Sequence, residues 1–386
     1  MRAHRIIVLG GGYTGIVAAG QLARRVRTDE ASVTLVTADA TRDERMRWHQ
    51  LAAGGHYPLL SIADALEGTG AALRVARIEG IDLEHRSVRL AGGDALGYDS
   101  LVVALGSVID FGSVRGAREN AYGLTTVAAI SAAARRLDAL ADGARVVVVG
   151  GGLTGIELAT EVAEAHPRLR VAITSSQPPG SWLSGRAQRY LERAFDRLGV
   201  ERVVGRVSGI EPDAVVLADG GVQESALTFW AGGFRANPLV EASGLEVDEL
   251  GRAYVDATFH AVSHPEIRVI GDAAHVPGRD GAPLKMGCRT GAFMALTAPK
   301  KAAIELAGRP AAPFRGRYFA ECISLGRHDA LLQWLTAEGA PLDRIVTGRT
   351  ARMIKEYVHR GNLTVARHPG PYGPVRRKIG RASCRE

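Results

Sequence analysis

Two short β-branched runs, Arg5–Leu9 (RIIVL) and Arg145–Val149 (RVVVV), are each followed by a glycine turn and an Ala-rich stretch. Short apolar runs bounded by turn residues predict buried strands, and the helix-period stretches Ile16–Val26 and Ile156–Ala165 predict helices. Further strands follow in each half: Ser32–Val36 and Leu101–Ala104 in the first, Leu169–Thr174 and Leu227–Trp230 in the second. Strand-like pieces lie around Leu73–Ile78, Gly80–Leu83, Ser87–Leu90, Val203–Ile210 and Ala214–Leu217, and Arg186–Leu198 has helical period. Even the strand ends repeat, LVVALGS in the first half and LTFWAGG in the second. Strands alternating with helices predict an α/β fold, and a plan written twice predicts two Rossmann-like, doubly wound domains.

The turns are near copies, Gly10-Gly11-Gly12-Tyr13-Thr14-Gly15 and Gly150-Gly151-Gly152-Leu153-Thr154-Gly155. Between a strand and a helix, G-x-G-x-x-G is a dinucleotide-binding fingerprint. Gly10 and Gly150 permit the tight turn. Gly12 and Gly152 let the backbone approach a pyrophosphate, and Gly15 and Gly155 let helix and strand pack closely. The helix N-terminus adds free N–H groups and a positive dipole end. Two such units imply two dinucleotides and electron transfer between them. The competing reading is one degenerate loop and a single bound dinucleotide.

After the second unit, Ile267–Ile270 leads into Gly271-Asp272-Ala273-Ala274, and helical sequence runs from about Met286 to Leu306. This pattern predicts that the chain returns to finish its first domain. The expected divisions are 1–115 with 235–308, an inserted domain at 116–234, and a smaller region at 309–378. Ile379–Glu386 (IGRASCRE) reads as translated sequencing adapter and is set apart from the fold.

A length of 386 residues fits two or three domains, and 46% hydrophobic with 23% charged residues is a globular balance. No apolar run reaches the length of a bilayer span. The first strand begins at Arg5, which leaves no room for a cleavable signal. Three cysteines (Cys288, Cys322, Cys384) cannot form a disulfide framework. A cytoplasmic location is expected. Net charge is +7, or +6 without Arg381, Arg385 and Glu386. Arg349, Arg352, Lys355, Arg360, Arg367, Arg376, Arg377 and Lys378 interleave with Met353, Ile354, Tyr357 and Val358. That segment reads first as an ordinary solvated face, and alternatively as an amphipathic patch for an anionic lipid surface. No recognition motif points to nucleic acid, and no histidine spacing points to a metal.

Taken together, GGGYTG, Arg45–Gly54 (RMRWHQLAAG), Tyr98–Ser107 (YDSLVVALGS), GGGLTGIELATE, Trp230–Leu239 (WAGGFRANPL) and VIGDAA resemble the pyridine nucleotide–disulfide oxidoreductase superfamily. The likeness spans about Arg5–Ala307 and is nearest to type II NADH dehydrogenases. It implies FAD on the first loop (Gly10, Gly12, Thr14, Gly15), with Ala104, Gly106, Gly271 and Asp272, the last toward the ribityl chain. It implies NAD(P)H on the second loop (Gly150, Gly152, Thr154, Gly155), with Gly232. Glu157, on the first turn of its helix, would lie near nicotinamide and flavin as a catalytic group, with dipole or capping service as the alternative. Glu161 is expected to be solvated or structural.

The implied reaction is hydride transfer from NAD(P)H to FAD, then electron transfer to an acceptor. The resemblance points first to a quinone, met peripherally at the inner face of the cell membrane. A small redox protein such as ferredoxin is the alternative, and a slow-turnover NAD(P)H-sensing flavoprotein the rival from another class. Arg45 and Arg47 would contact phosphate, or lie with Trp48 and His49 on a charged surface helix. Some residues depart from the family pattern. The strand end that usually carries an acid has Thr37, with Asp39 beyond it, in the first unit and Thr174-Ser175-Ser176 in the second, which leaves NADH and NADPH both open. The Gln-bearing quinone-site helix is replaced by Lys285–Thr290. Thr41–Arg47 carries no cysteine, which argues against thiol–disulfide exchange, and Cys288 is expected as a small packing residue.

Overall fold

The computed structural model describes residues 3–112, 114–370 and 372; Ile379–Glu386 lies outside the described residues, as do Arg376, Arg377 and Lys378. Two parallel sheets carry the two halves. In the first unit, β1 (His4–Leu9), β2 (Ala31–Thr37), β3 (Ala72–Val75) and β4 (Ser100–Val103) stand in the spatial order β4-β1-β2-β3. In the second, β5 (Ala121–Gly123), β6 (Arg145–Val149), β7 (Arg170–Ser175), β8 (Glu201–Val204) and β9 (Leu227–Trp230) stand in the order β5-β9-β6-β7-β8. β10 (His260–Ala261) and β11 (His264–Val269) then return to the first sheet, where β11 pairs in parallel with β4.

Both central strands are covered on both faces, which is why they read as continuous β-branched runs rather than alternating ones. Val8 and Leu9 in β1 and Val146–Val148 in β6 have no exposed surface. Each such side chain contributes about 1.5–3 kcal/mol by leaving water. Helix α1 (Tyr13–Ala23) follows β1, short α2 (Trp48–Ala52) follows β2, and α3 (Leu153–Ala165) follows β6. α4 (Gly185–Leu198) packs against α3 and shares the core of the second unit, and α5 (Cys288–Leu306) packs along α1.

α1 and α3 begin three residues earlier than the apolar pattern predicts, so the last glycine of each turn lies inside a helix. Periodicity marks the buried face and is blind to a first turn made of glycine and threonine. The stretches Leu73–Ile78 and Val203–Ile210 each break in two. Ala76-Arg77 and Gly205-Arg206 end a parallel strand and start an antiparallel three-stranded flap, 78–97 and 207–224 respectively. The two crossings between units run side by side, Ser107–Ile109 antiparallel to Phe234–Ala236.

The remaining region has an antiparallel sheet, β12 (Ala320–Ser324), β13 (Ala330–Leu335) and β14 (Pro341–Thr347), followed by α6 (Gly348–Arg367). β12 lies against α3 while α6 reaches α1, so this region closes over both units. Among the described residues no helix is long and apolar enough to cross a membrane, and no cluster of His, Cys, Asp or Glu is arranged for a metal ion.

Candidate active site

Both glycine turns open onto one continuous cleft of about 1530 Å³. Their geometries match. The amide of Gly10 donates to Val36 O at 2.9 Å and that of Gly150 to Thr174 O at 2.8 Å. The amides of Ala104 and Ala231 donate to Leu9 O and Val149 O at 2.9 and 2.7 Å. Gly10 and Gly150 have φ of +108° and +126°, and a Cβ there would stand 2.4 and 2.3 Å from the carbonyl oxygens of Ala104 and Ala231. A Cβ on Gly15 or Gly155 would stand 1.9 or 1.8 Å from the oxygen of Gly10 or Gly150. Side chains are excluded at all four positions.

Gly12 and Gly152 are the N-caps of α1 and α3, and neither helix has a side-chain cap. A Cβ on either would meet nothing within 4 Å. The first-turn N–H groups therefore face open space with a positive dipole end behind them, which fits a pyrophosphate in each turn.

Thr14, Gly106, Thr154, Gly232, Asp272 and Glu157 also line the cleft. Gly15, Gly155 and Gly271 lie behind its wall, where they permit close packing. Thr14 would stand 3.2 Å from a Cβ on Gly271. Asp272 is held from two sides, by Ser107 Oγ at 2.7 Å and the Gly287 amide at 2.8 Å. Each of its oxygens keeps a free lone pair for a hydroxyl in the cleft.

Glu157 is the fifth residue of α3, not part of its first turn, and no acid stands in that turn. The capping alternative is thereby removed. Its Oε1 accepts from the Ser324 amide at 3.0 Å and from Lys355 Nζ, and its Oε2 lies 3.7 Å from His49 Nδ1. Burial raises the Glu157 pKa, but Lys355, His49 and the Ser324 N–H outweigh it and hold the carboxyl below its ordinary value. Burial pushes His49 down to about 4 against the pull of Glu157. His359 is pushed down to about 3 by burial and by Lys355. The wall of the cleft thus holds the Glu157–Lys355 pair and the neutral imidazole of His359, with neutral His49 buried behind it.

Several expectations are corrected here. Lys355 is 7% exposed and belongs to the site, not to a basic surface. Arg47 is buried against Glu44 and Glu356 at 2.8 Å each, so it is neither a phosphate ligand nor a surface residue. Trp48 and His49 are buried as well, and α2 is not a surface helix. Arg45 does face the cleft, where Nη1 donates to Ser107 O at 2.9 Å. Cys288 is not a packing residue; it is exposed and opens α5 on the cleft wall. Of the two readings of Glu161 the structural one applies, since it is fully buried and paired with Arg327. Sequence reasoning missed Ser107, and it missed that α6 supplies the partner of Glu157. No local pattern links positions 157 and 355.

Two glycine cradles on parallel sheets facing one cleft define an α/β protein of the two-dinucleotide class. The pyridine nucleotide-disulphide oxidoreductase family matches residues 4–290, and the chain belongs to that family. It is an FAD-dependent NAD(P)H oxidoreductase. An NADH dehydrogenase-like protein of Mycobacterium tuberculosis is 29% identical over 364 residues, 87% of this chain and 90% of that protein. A type II NADH:quinone oxidoreductase of Staphylococcus aureus is 25% identical over 389 residues, 92% and 94% of the two chains. The sulfide:quinone oxidoreductase of Aquifex aeolicus shares the fold, with a TM-score of 0.79 at 20% identity over 96% of this chain and 93% of that one.

Proposed function

We propose that this chain passes electrons from NAD(P)H to a quinone, with FAD on the first cradle and the pyridine nucleotide on the second. The shared cleft carries this reading, because hydride transfer needs both rings in one water-poor space. FAD, when bound, supplies the hydride acceptor and the electron relay. Gly12 and Thr14 with the first turn of α1 would hold its diphosphate, and Asp272, oriented by Ser107, a ribityl hydroxyl. Ala104 and Gly106 would bound that cradle. Gly152, Thr154 and the first turn of α3 would hold the nucleotide diphosphate, with Gly232 opposite. Residues 1–115 and 235–308 would act as the flavin domain and 116–234 as the inserted nucleotide domain, with 309–378 as a cover.

Glu157 is the proposed catalytic residue, held ionised by Lys355 and able to accept a proton or a hydrogen bond at Oε2 beside the reacting rings. The S. aureus relative's quinone activity and the cleft's apolar wall support a quinone acceptor. On α6, Met353 and Tyr357 stand one turn apart and are 64% and 79% exposed beside Arg352 and Arg360, which supports peripheral contact with an anionic membrane. Steady-state oxidation of NAD(P)H with a short-chain soluble quinone tests the acceptor. Turnover at tens per second supports it, in the ordinary range for enzymes. Flavin reduction that no quinone reverses would overturn it in favour of a small acidic redox protein.

A further inference from the structure

The two cradles correspond residue for residue, and they differ in charge at one end. Gly10 and Gly150 donate to Val36 and Thr174, so Thr37 matches Ser175, Ala38 matches Ser176 and Asp39 matches Gln177. The correspondence continues across the next strand. The Ala76 amide donates to Thr37 O at 2.8 Å, and the Gly205 amide to Ser175 O at 2.9 Å. Arg77 and Arg206 therefore hold equivalent places, and their carbonyls accept from Ala91 and Ala218 at 2.9 and 2.7 Å. Both arginines line the cleft.

At this end of a doubly wound unit a carboxylate holds a ribose diol, whereas an arginine accommodates a ribose 2′-phosphate. The first cradle keeps its acid, Asp39, on the cleft wall. The second has a neutral amide, Gln177, in that place. The only carboxylate that residues 116–234 contribute to the cleft, among those described, is Glu157, and it is tied to Lys355. Arg206 is exposed and forms no ion pair with a described residue. Ser175 Oγ donates to Gln177 O at 2.8 Å, whereas the exposed Ser176 hydroxyl is free to donate into the cleft.

We infer that the second cradle is built for a 2′-phosphorylated dinucleotide, NADPH, with Arg206 and Ser176 holding the phosphate. The first cradle is the internal control: the same backbone, with an acid retained, suits the unphosphorylated ribose of FAD. A planar guanidinium meets phosphate oxygens in a charge-assisted fork, and the missing carboxylate removes both the repulsion of a phosphate and the anchor of a diol.

This inference rests on the reading that residues 150–155 hold the pyridine nucleotide. Calorimetric titration of the flavin-loaded protein with NADP+ and with NAD+ tests both and separates them. NADP+ is expected to bind about tenfold tighter or better. Arg206→Ala should lower NADP+ affinity by about tenfold and leave NAD+ within about twofold, and Arg206→Lys should recover part of the loss. Equal or tighter binding of NAD+, or an equal effect of Arg206→Ala on both, overturns the inference alone. Binding of neither dinucleotide overturns the reading beneath it as well.

Discussion

Lys355, on the last helix of the chain, donates to the carboxylate of Glu157 on the helix that opens at the second glycine turn. The two side chains are 9% and 14% exposed. Breaking such a pair leaves a charge with little water around it, at a cost of about 3 kcal/mol or more. Lys355→Met is therefore expected to be distinctly less stable in urea than Glu157→Gln/Lys355→Met. A double-mutant cycle that showed no coupling would contradict the pairing.

Acid stability follows from the same cluster. His49 and His359 are neutral in the folded state down to about 4 and about 3, while in the unfolded chain each titrates near 6.5. Above 6.5 they bind no proton in either state and do not affect stability. As pH falls below 6.5 the unfolded state gains protons first, so each histidine destabilises the fold by up to about 1.4 kcal/mol per pH unit. Glu157 adds to the loss only below 4.5, its unperturbed value, because its folded pKa is depressed. Unfolding free energies measured from pH 7 to 5 should decline, and the decline should flatten in His359→Gln. A level profile over that range would count against neutral buried histidines.

The matched turns predict separable losses. A side chain at Gly15 would strike the Gly10 carbonyl, and one at Gly155 the Gly150 carbonyl. Gly15→Val should yield protein that loses flavin, read as absorbance of the purified chain. Gly155→Val should keep flavin and lose pyridine nucleotide binding. Overpacking of this kind also costs about 1–3 kcal/mol of stability. Loss of flavin in both variants, or in neither, would break the assignment of one nucleotide to each unit.

Much of the fold was legible because its signals are local. β-branched runs at β1 and β6, glycines at 10, 12 and 15 and again at 150, 152 and 155, and the Gly271-Asp272 turn each carry their meaning within a few residues. Helix starts were misplaced because Tyr13-Thr14 and Leu153-Thr154 carry no apolar period. The cleft's charged wall was not legible. Lys355 reads as one more basic residue on an arginine-rich helix, and only the packing of α6 over both units turns it inward. Arg206 escaped for a related reason. It arrives from the strand after β7, thirty residues beyond the turn it serves.

Asp272 offers a narrower test. Asp272→Ala leaves the Ser107 hydroxyl and the Gly287 amide without their acceptor, at about 1–3 kcal/mol if both stay dry. Flavin retained per chain after gel filtration should drop, while Asp272→Asn, which keeps one acceptor oxygen, should lose less. Undiminished flavin in Asp272→Ala would remove this residue from the cradle.

Anaerobic titration of the purified protein with NADPH and with NADH tests the central claim most directly. Two occupied cradles facing one cleft predict a yellow protein whose flavin absorbance bleaches with about one equivalent of reduced nucleotide, as a two-electron hydride transfer requires. A colourless protein, or a bound flavin that neither nucleotide reduces, would contradict it.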